Sequence, residues 1–402
     1  MLRALFDLPG TVWLLGLMSL FNDSASELIY PLVPIYLASV LGAGPKALGI
    51  IEGVAEATGS VLKLLAGVLA DRTRSTKYWV VGGYGLAAAG RPLLALASSW
   101  PTVLLLRFAD RVAKGLRTSP RDALLAQSVG AERRGLAFGL HRSMDNVGAV
   151  VGPLLASLLL AEGMSLREIF LWTAVVGVIS VALALAIREP KSQAPAPAQR
   201  FSWDVRVFPK HYKRYLGVLA LFTLGNSSNM FLLLRARDMG MPDYQVPMLW
   251  ALVSLTAAVF SMPLSAVSDR LGRTRLIVGG WLVYGTFYLL LGLNGSQVWL
   301  LWPLFAFYGL FLAATEGAEK ALVADLAPAD RLGTAYGWFN LTAGIMLLPA
   351  SLLFGWLWQV FGPQAAFAFA AACAIAAAVL LRFWVTGRGH LRRARSRRAP
   401  PR

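Results

Sequence analysis

Cysteine is nearly absent from this chain: among 402 residues there is one, Cys373, and only three histidines, His141, His211 and His390. One thiol excludes an internal disulfide, a CxxC metal site and an iron–sulfur cluster, and three scattered imidazoles leave no histidine-rich metal centre to build. There is no HExxH and no GxSxG, which removes the two commonest hydrolase signatures. Charge is scarce too, at 15% of residues where a soluble domain carries about a quarter. Apolar residues fill the gap, at 57%, with a mean hydropathy of +0.59. A bilayer-spanning helix takes about 20 apolar residues, so the chain has material for about a dozen. The sequence reads as an all-α polytopic membrane protein.

The charges that remain are basic in excess, with a net of +17. In a soluble protein that would suggest nucleic-acid binding. Here the lysines and arginines sit between hydrophobic runs, where they set orientation instead. About twelve runs are predicted, the first over 11–41, broken by Pro31 and Pro34, and the last over 363–385. An even number puts both termini on one side. The loops on that side hold 24 lysines and arginines, and the opposite loops hold 4. The bias predicts both termini in the cytoplasm of a cell whose inner membrane the protein crosses. No signal peptide is evident. The arginine-rich tail LRRARSRRAPPR extends the same bias.

Residues 188–213, containing REPKSQAPAPAQR, have a linker's composition and divide the runs six and six. A repeat marks the same seam. Asp71-Arg72 returns as Asp269-Arg270 after 198 residues, and the same displacement carries Ala123-Leu124 onto Ala321-Leu322 and Gly135, Ala137 and Gly139 onto Gly333, Ala335 and Gly337. The expected organisation is a six-helix bundle over 1–187, a cytoplasmic linker over 188–213, a second six-helix bundle over 214–385 and a basic tail over 386–402. Two halves of like direction imply a pseudo-two-fold axis along the membrane normal and a binding site between them near mid-membrane.

The loop after the second run reads Gly67-Val-Leu-Ala-Asp71-Arg72-Thr-Arg74, and the loop after the eighth reads Ser265-Ala-Val-Ser-Asp269-Arg270-Leu-Gly272-Arg273. A carboxylate followed by a basic cluster at a cytoplasmic helix end can pair with an arginine or cap a neighbouring helix. These two loops resemble the G-x-x-x-D-R-x-G-R-[KR] hallmark of the major facilitator superfamily, with Arg74 and Ser265 standing where glycines are usual. Span five carries Gly139-x8-Gly148-x3-Gly152-Pro153, a stripe of small residues that lets a partner helix approach closely. It is similar to the superfamily's antiporter motif, which implies export by exchange of the drug/proton antiporter type. In span four, Arg111-x-x-Lys114-Gly115 resembles the family's R-x-x-Q-G pattern, whose arginine is associated with proton transfer. Arg121 and Asp122 read as a structural ion pair, with a sign-exchanged counterpart in Glu319 and Lys320 by the 198-residue displacement.

Ionisable groups inside spans are the sharpest signal, because a bare charge in hydrocarbon costs several kcal/mol. Asp23, Glu27 and Tyr30 share one face of span one, with Asn22 beside them. Glu52 and Glu56 follow in span two, Glu52 close enough to the periplasmic mouth to meet water and Glu56 within reach of Lys63. Span five adds His141 and Asp145, and span ten Glu316. Asp23, Glu27 and Asp145 are the expected proton-linked carboxylates, modulated by Arg111. Asn22, Tyr30, Arg107, Asp110, His141, Asn226, Asn229 and Glu316 are the candidate walls of a substrate cavity. Either role, permanent helix-to-helix pairing or coupling, fits each acid by sequence alone.

The resemblance therefore implies a twelve-helix fold of two pseudo-symmetric bundles, working as a monomer without cofactor or metal. It would exchange protons for a small-molecule substrate across the lipid bilayer by alternating access. Uptake of a sugar or organic anion by symport or uniport is the alternative, and a membrane-embedded enzyme is a third class.

Overall fold

The computed structural model describes residues 7–70, 76–130, 133–187, 204–328 and 331–385. Every regular element among them is helical. The first half runs α1 (Gly10–Ile29), α2 (Leu32–Ser39), α3 (Pro45–Ala70), α4 (Thr76–Gly90), α5 (Trp100–Gln127), α6 (Arg134–Ala161) and α7 (Leu166–Ala186). The second runs α8 (Lys210–Gly225), α9 (Met230–Asp238), α10 (Val246–Leu271), α11 (Arg273–Leu293), α12 (Leu301–Leu326), α13 (Leu332–Phe361) and α14 (Pro363–Leu380). The pairs α1–α2 and α8–α9 are each one interrupted rod, so the described helices form twelve rods.

Seven helical stretches among the described residues are long and apolar enough to cross a membrane, from Leu136–Ala161 to Pro363–Val385. The first rod is interrupted at Tyr30-Pro31, where proline removes a backbone donor. The fourth falls outside that set for a visible reason. The α5 helix carries Arg107, Asp110, Arg111, Lys114, Arg117, Arg121 and Asp122. Most of these face protein: Arg107, Asp110, Arg111 and Arg117 are buried. A helix whose charges point inward scores poorly on hydropathy while still presenting apolar residues such as Leu105 and Phe108 outward.

The turns obey local chemistry. Ser165 and Glu168 form a reciprocal cap at the start of α7: the Ser165 hydroxyl accepts from the Glu168 amide at 3.3 Å, and the Glu168 carboxylate accepts from the Ser165 amide at 2.8 Å. Between α10 and α11 the chain reverses through Gly272 at φ +92°, a left-handed conformation that favours glycine. The motif glycine is thus a requirement of that turn.

The close helix pairs are built on small residues. Gly148 and Gly152 of α6 lie against the α1 backbone at Leu20, Ser24 and Leu28, which is the approach that the small-residue stripe predicts. Across the molecule, Gly49 and Gly53 of α3 lie against the backbone of Ser351 and Leu348 in α13, and Gly355 of α13 against Pro45. An aromatic core fills the second half, where Trp281, Tyr284, Tyr288, Tyr308, Phe287 and Phe305 are almost fully buried.

Candidate functional site

Two rods break at matching places. The first stops at Tyr30-Pro31 and the seventh at Asn226–Asn229, where four residues leave the helix. The displacement of 198 residues that relates the sequence repeats places 226–229 on 28–31. Interrupted helices free backbone groups that must be satisfied by protein or water, so they occur where a cavity is lined. A cavity of about 320 Å³ lies between the two breaks, lined by Tyr30, Glu56, Phe222, Asn226, Ser227, Ser228, Asn229, Tyr308, Phe311, Leu312, Thr315, Glu319 and Leu347. Its α12 wall is one helical face, since Tyr308, Phe311, Leu312, Thr315 and Glu319 fall at offsets of 3, 4, 7 and 11.

A layer of buried ion pairs borders this cavity. Glu52 is fully buried, and Arg107 of α5 donates to its Oε1 from Nε at 3.0 Å and from Nη2 at 2.7 Å. Ser228, in the seventh-rod break, donates to the other carboxylate oxygen at 3.1 Å. This corrects the expectation that Glu52 meets water: Arg107 and Ser228 occupy its two carboxylate oxygens, and the neighbouring Gly53 lies against the α13 backbone. Glu56 faces Arg111 at 3.2 Å, so its cation comes from α5, and the Lys63 side chain lies outside the described residues. Arg91 donates to Asp110 at 3.0 Å and, at 3.0 Å each, to the backbone and side-chain oxygens of Asn22. The three groups tie the first, third and fourth rods together beside a water-sized void lined in part by Arg91, Arg107 and Asp110.

The remaining acids have milder partners. Asp23 accepts from Asn22 at 2.8 Å, and Glu27 accepts from the Trp250 indole of α10 at 2.8 Å. Among the described residues neither has a cationic side chain within the 4.0 Å of an ion pair. Asp145 sits 3.4 Å from His141 on the same helix. Glu316 is exposed, 2.6 Å from Arg142 and 3.6 Å from Lys320. Arg121 and Asp122 pair with each other at 2.9 Å, but their counterparts do not: Glu319 accepts from the Trp281 indole at 2.9 Å, and Lys320 reaches back one turn to Glu316. The displacement preserves position, and residue identity at neighbouring sites then selects the partner.

Of the residues the sequence nominated for the cavity wall, Tyr30, Asn226 and Asn229 line it. Asn22, Arg107 and Asp110 belong to the ion-pair layer, His141 to Asp145, and Glu316 to Arg142. Arg273 of the loop motif pairs with Asp325 at 2.7 Å and donates to the Ala321 carbonyl at 2.5 Å, joining α11 to α12. Gly67 falls in the last turns of α3, while Asp71 and Arg72, and the side chains of Asp269 and Arg270, lie outside the described residues. Gly139 has open space around it, and Pro153 sits inside the unbroken α6. Arg91 and Phe222 carry no sequence signal for these positions. Glu319, an acid of span ten by sequence, belongs to the cavity wall, and the face count from Tyr308 to Glu319 is the signal that places it there.

The sequence matches the model of the Major Facilitator Superfamily twice, over residues 12–233 and 215–401. The MFS-type transporter MJ1317 of Methanocaldococcus jannaschii is 34% identical over 387 residues, 94% of this chain and 95% of the relative. The chain belongs to the Major Facilitator Superfamily. It is a membrane transporter of that type. Multidrug resistance protein MdtH of Salmonella newport is 26% identical over 83% of this chain and 82% of its own. Among solved structures, nucleoside transporter NupG superposes with a TM-score of 0.76 at 14% identity, covering 93% of this chain and 98% of that one. A POT family transporter in complex with 5-aminolevulinic acid superposes with a TM-score of 0.78 at 13% identity, covering 94% and 96%. At such identities the likeness is one of fold.

Proposed function

We propose that the protein exports a small organic molecule in exchange for protons. In this reading twelve spans form two six-helix bundles, joined by the 188–213 segment and rocking about the cavity in a cell inner membrane. The observation that carries it is the placement of Asp23 and Glu27: two carboxylates within the first rod, each hydrogen-bonded to a neutral partner and neither ion-paired among the described residues. A carboxylate without a permanent counter-charge in a low-dielectric setting can exchange a proton as its surroundings change. Asp145, 3.4 Å from His141 on the same helix, is the third proton-linked acid. The distant relation to MdtH and the span-five motif support export.

Lysine and arginine loops on the cytoplasmic side make the Gly49–Ser351 end periplasmic. The nesting of α3 on α13 then closes that end, as it would in a cytoplasm-facing state. Mutually exclusive occupancy by proton and substrate yields exchange, because each ligand shifts the equilibrium only by its differential affinity for the two states. Proteoliposomes with an imposed pH gradient test the scheme. Gradient-driven substrate flux that disappears in Asp23→Asn, Glu27→Gln, Asp145→Asn together is expected. Flux indifferent to both the gradient and the triple substitution would refute the coupling.

A further inference from the structure

The cavity is asymmetric in charge. Among the described residues no lysine or arginine lines it, while two carboxylates do. Glu56 is already matched by Arg111. Glu319 is not: its one hydrogen bond in hand comes from the neutral Trp281 indole at 2.9 Å, and no cation among the described residues lies within 4.0 Å. Lys320, the adjacent cation, turns away to Glu316. Around Glu319 the wall is aromatic. Phe222 stacks on Trp281 with ring centroids 4.4 Å apart, and Phe311 lies 5.9 Å from Phe222.

We infer that Glu319 and the Phe222–Phe311 wall form a binding site for an organic ammonium ion, which makes the transported molecule a compact amine or quaternary ammonium with a flat apolar body. This rests on the reading of the cavity as the transport site. The physics is additive in direction. A partly buried carboxylate without a counter-charge gains most from a ligand that brings the missing positive charge. Ring faces attract cations and have no such attraction for anions. The amide and hydroxyl groups of Asn226, Ser227 and Thr315 supply hydrogen-bond partners without changing the sign of the site. A volume of 320 Å³ falls within the range of small-molecule pockets, enough for one substituted ring.

The test is equilibrium binding to the full-length protein in nanodiscs of uncharged lipid, with no gradient, followed by calorimetry. The probes are benzyltrimethylammonium, benzyl alcohol and phenylacetate, which share a ring and differ in charge. Saturable binding of the cation, at least about tenfold tighter than either other probe, is expected. Glu319→Gln, which keeps an oxygen for Trp281, should lose that preference, and Glu319→Asp should keep part of it. Equal affinity for all three probes, preference for phenylacetate, no saturable cation binding, or an unchanged preference in a folded Glu319→Gln would overturn the inference. If neither variant folds, the ranking of probes on the native chain decides. Cation binding that survives where gradient-driven flux is absent would leave this site standing and remove the exchange reading alone.

Discussion

Two glycines of one sequence motif should respond oppositely to the same change. At Gly152 an added Cβ would lie 2.5 Å from the Ser24 carbonyl oxygen, 2.8 Å from the Leu28 amide nitrogen and 3.0 Å from the Glu27 carbonyl carbon. All three are backbone atoms of α1, so no rotamer change relieves the clash. The helices must separate by several tenths of an ångström along the stripe. Overpacking of this kind costs about 1–3 kcal/mol, against a helix-propensity gain of up to about 1 kcal/mol for replacing glycine by alanine. Gly152→Ala should therefore be net destabilising by about 1–2 kcal/mol. At Gly139 nothing lies within 4 Å of the added carbon, so only the propensity gain remains and Gly139→Ala should be neutral or slightly stabilising. Thermal unfolding of the purified variants in one detergent, with intrinsic tryptophan emission as readout, compares them directly. Equal depression of the transition temperature by both substitutions would refute the argument from close approach.

Glu52→Gln leaves the Arg107 guanidinium buried without its counter-charge, and a loss of about 3–5 kcal/mol is expected. The double variant Glu52→Gln, Arg107→Met should recover most of that loss, which a double-mutant cycle on unfolding stability measures. Trp250→Phe keeps a ring beside Tyr30 but deletes the indole donor to Glu27. A typical hydrogen bond is worth about 1 kcal/mol, so opening at that end should become roughly fivefold more populated. Thiol labelling of a cysteine introduced there reads the change, helped by the burial of the single native thiol, Cys373. Labelling at the native rate in Trp250→Phe would mean that this contact does not hold the end shut.

The rods were legible in the sequence because their signal is local. Apolar runs, Gly272 at a reversal and the Gly148–Gly152 stripe each express a constraint within one turn or one helix face. Partner choice among the buried charges was not, because it is settled across the fold. Glu52 reaches Arg107 55 residues away and Ser228 176 residues away, and no spacing rule connects those positions. Arg111 reads by sequence as the charge that modulates Asp23, Glu27 and Asp145, and only packing assigns it to Glu56. The Asn226–Asn229 run read as polar groups within a continuous span. In the fold those residues end one helix and precede another, since asparagine and serine satisfy freed backbone groups as readily as they tolerate a helix.

The repeat becomes most informative where its two copies carry different chemistry. Adding 198 to 52 gives 250, and adding it to 30 gives 228. The Glu52–Ser228 hydrogen bond and the Tyr30–Trp250 ring contact, with centroids 5.1 Å apart, are thus one contact made twice with the roles of the halves exchanged. In each, a residue from the second helix of one half meets the break in the first helix of the other. Any motion that parts the two halves at this end has to undo both. One copy is bound through a carboxylate and the other through aromatic faces plus the indole donor to Glu27, so in each copy a residue of the second half holds one acid of the first half in a defined pose. Opening therefore changes the surroundings of Glu52 and of Glu27 in the same step, which is the physical link that a proton-dependent change of state requires.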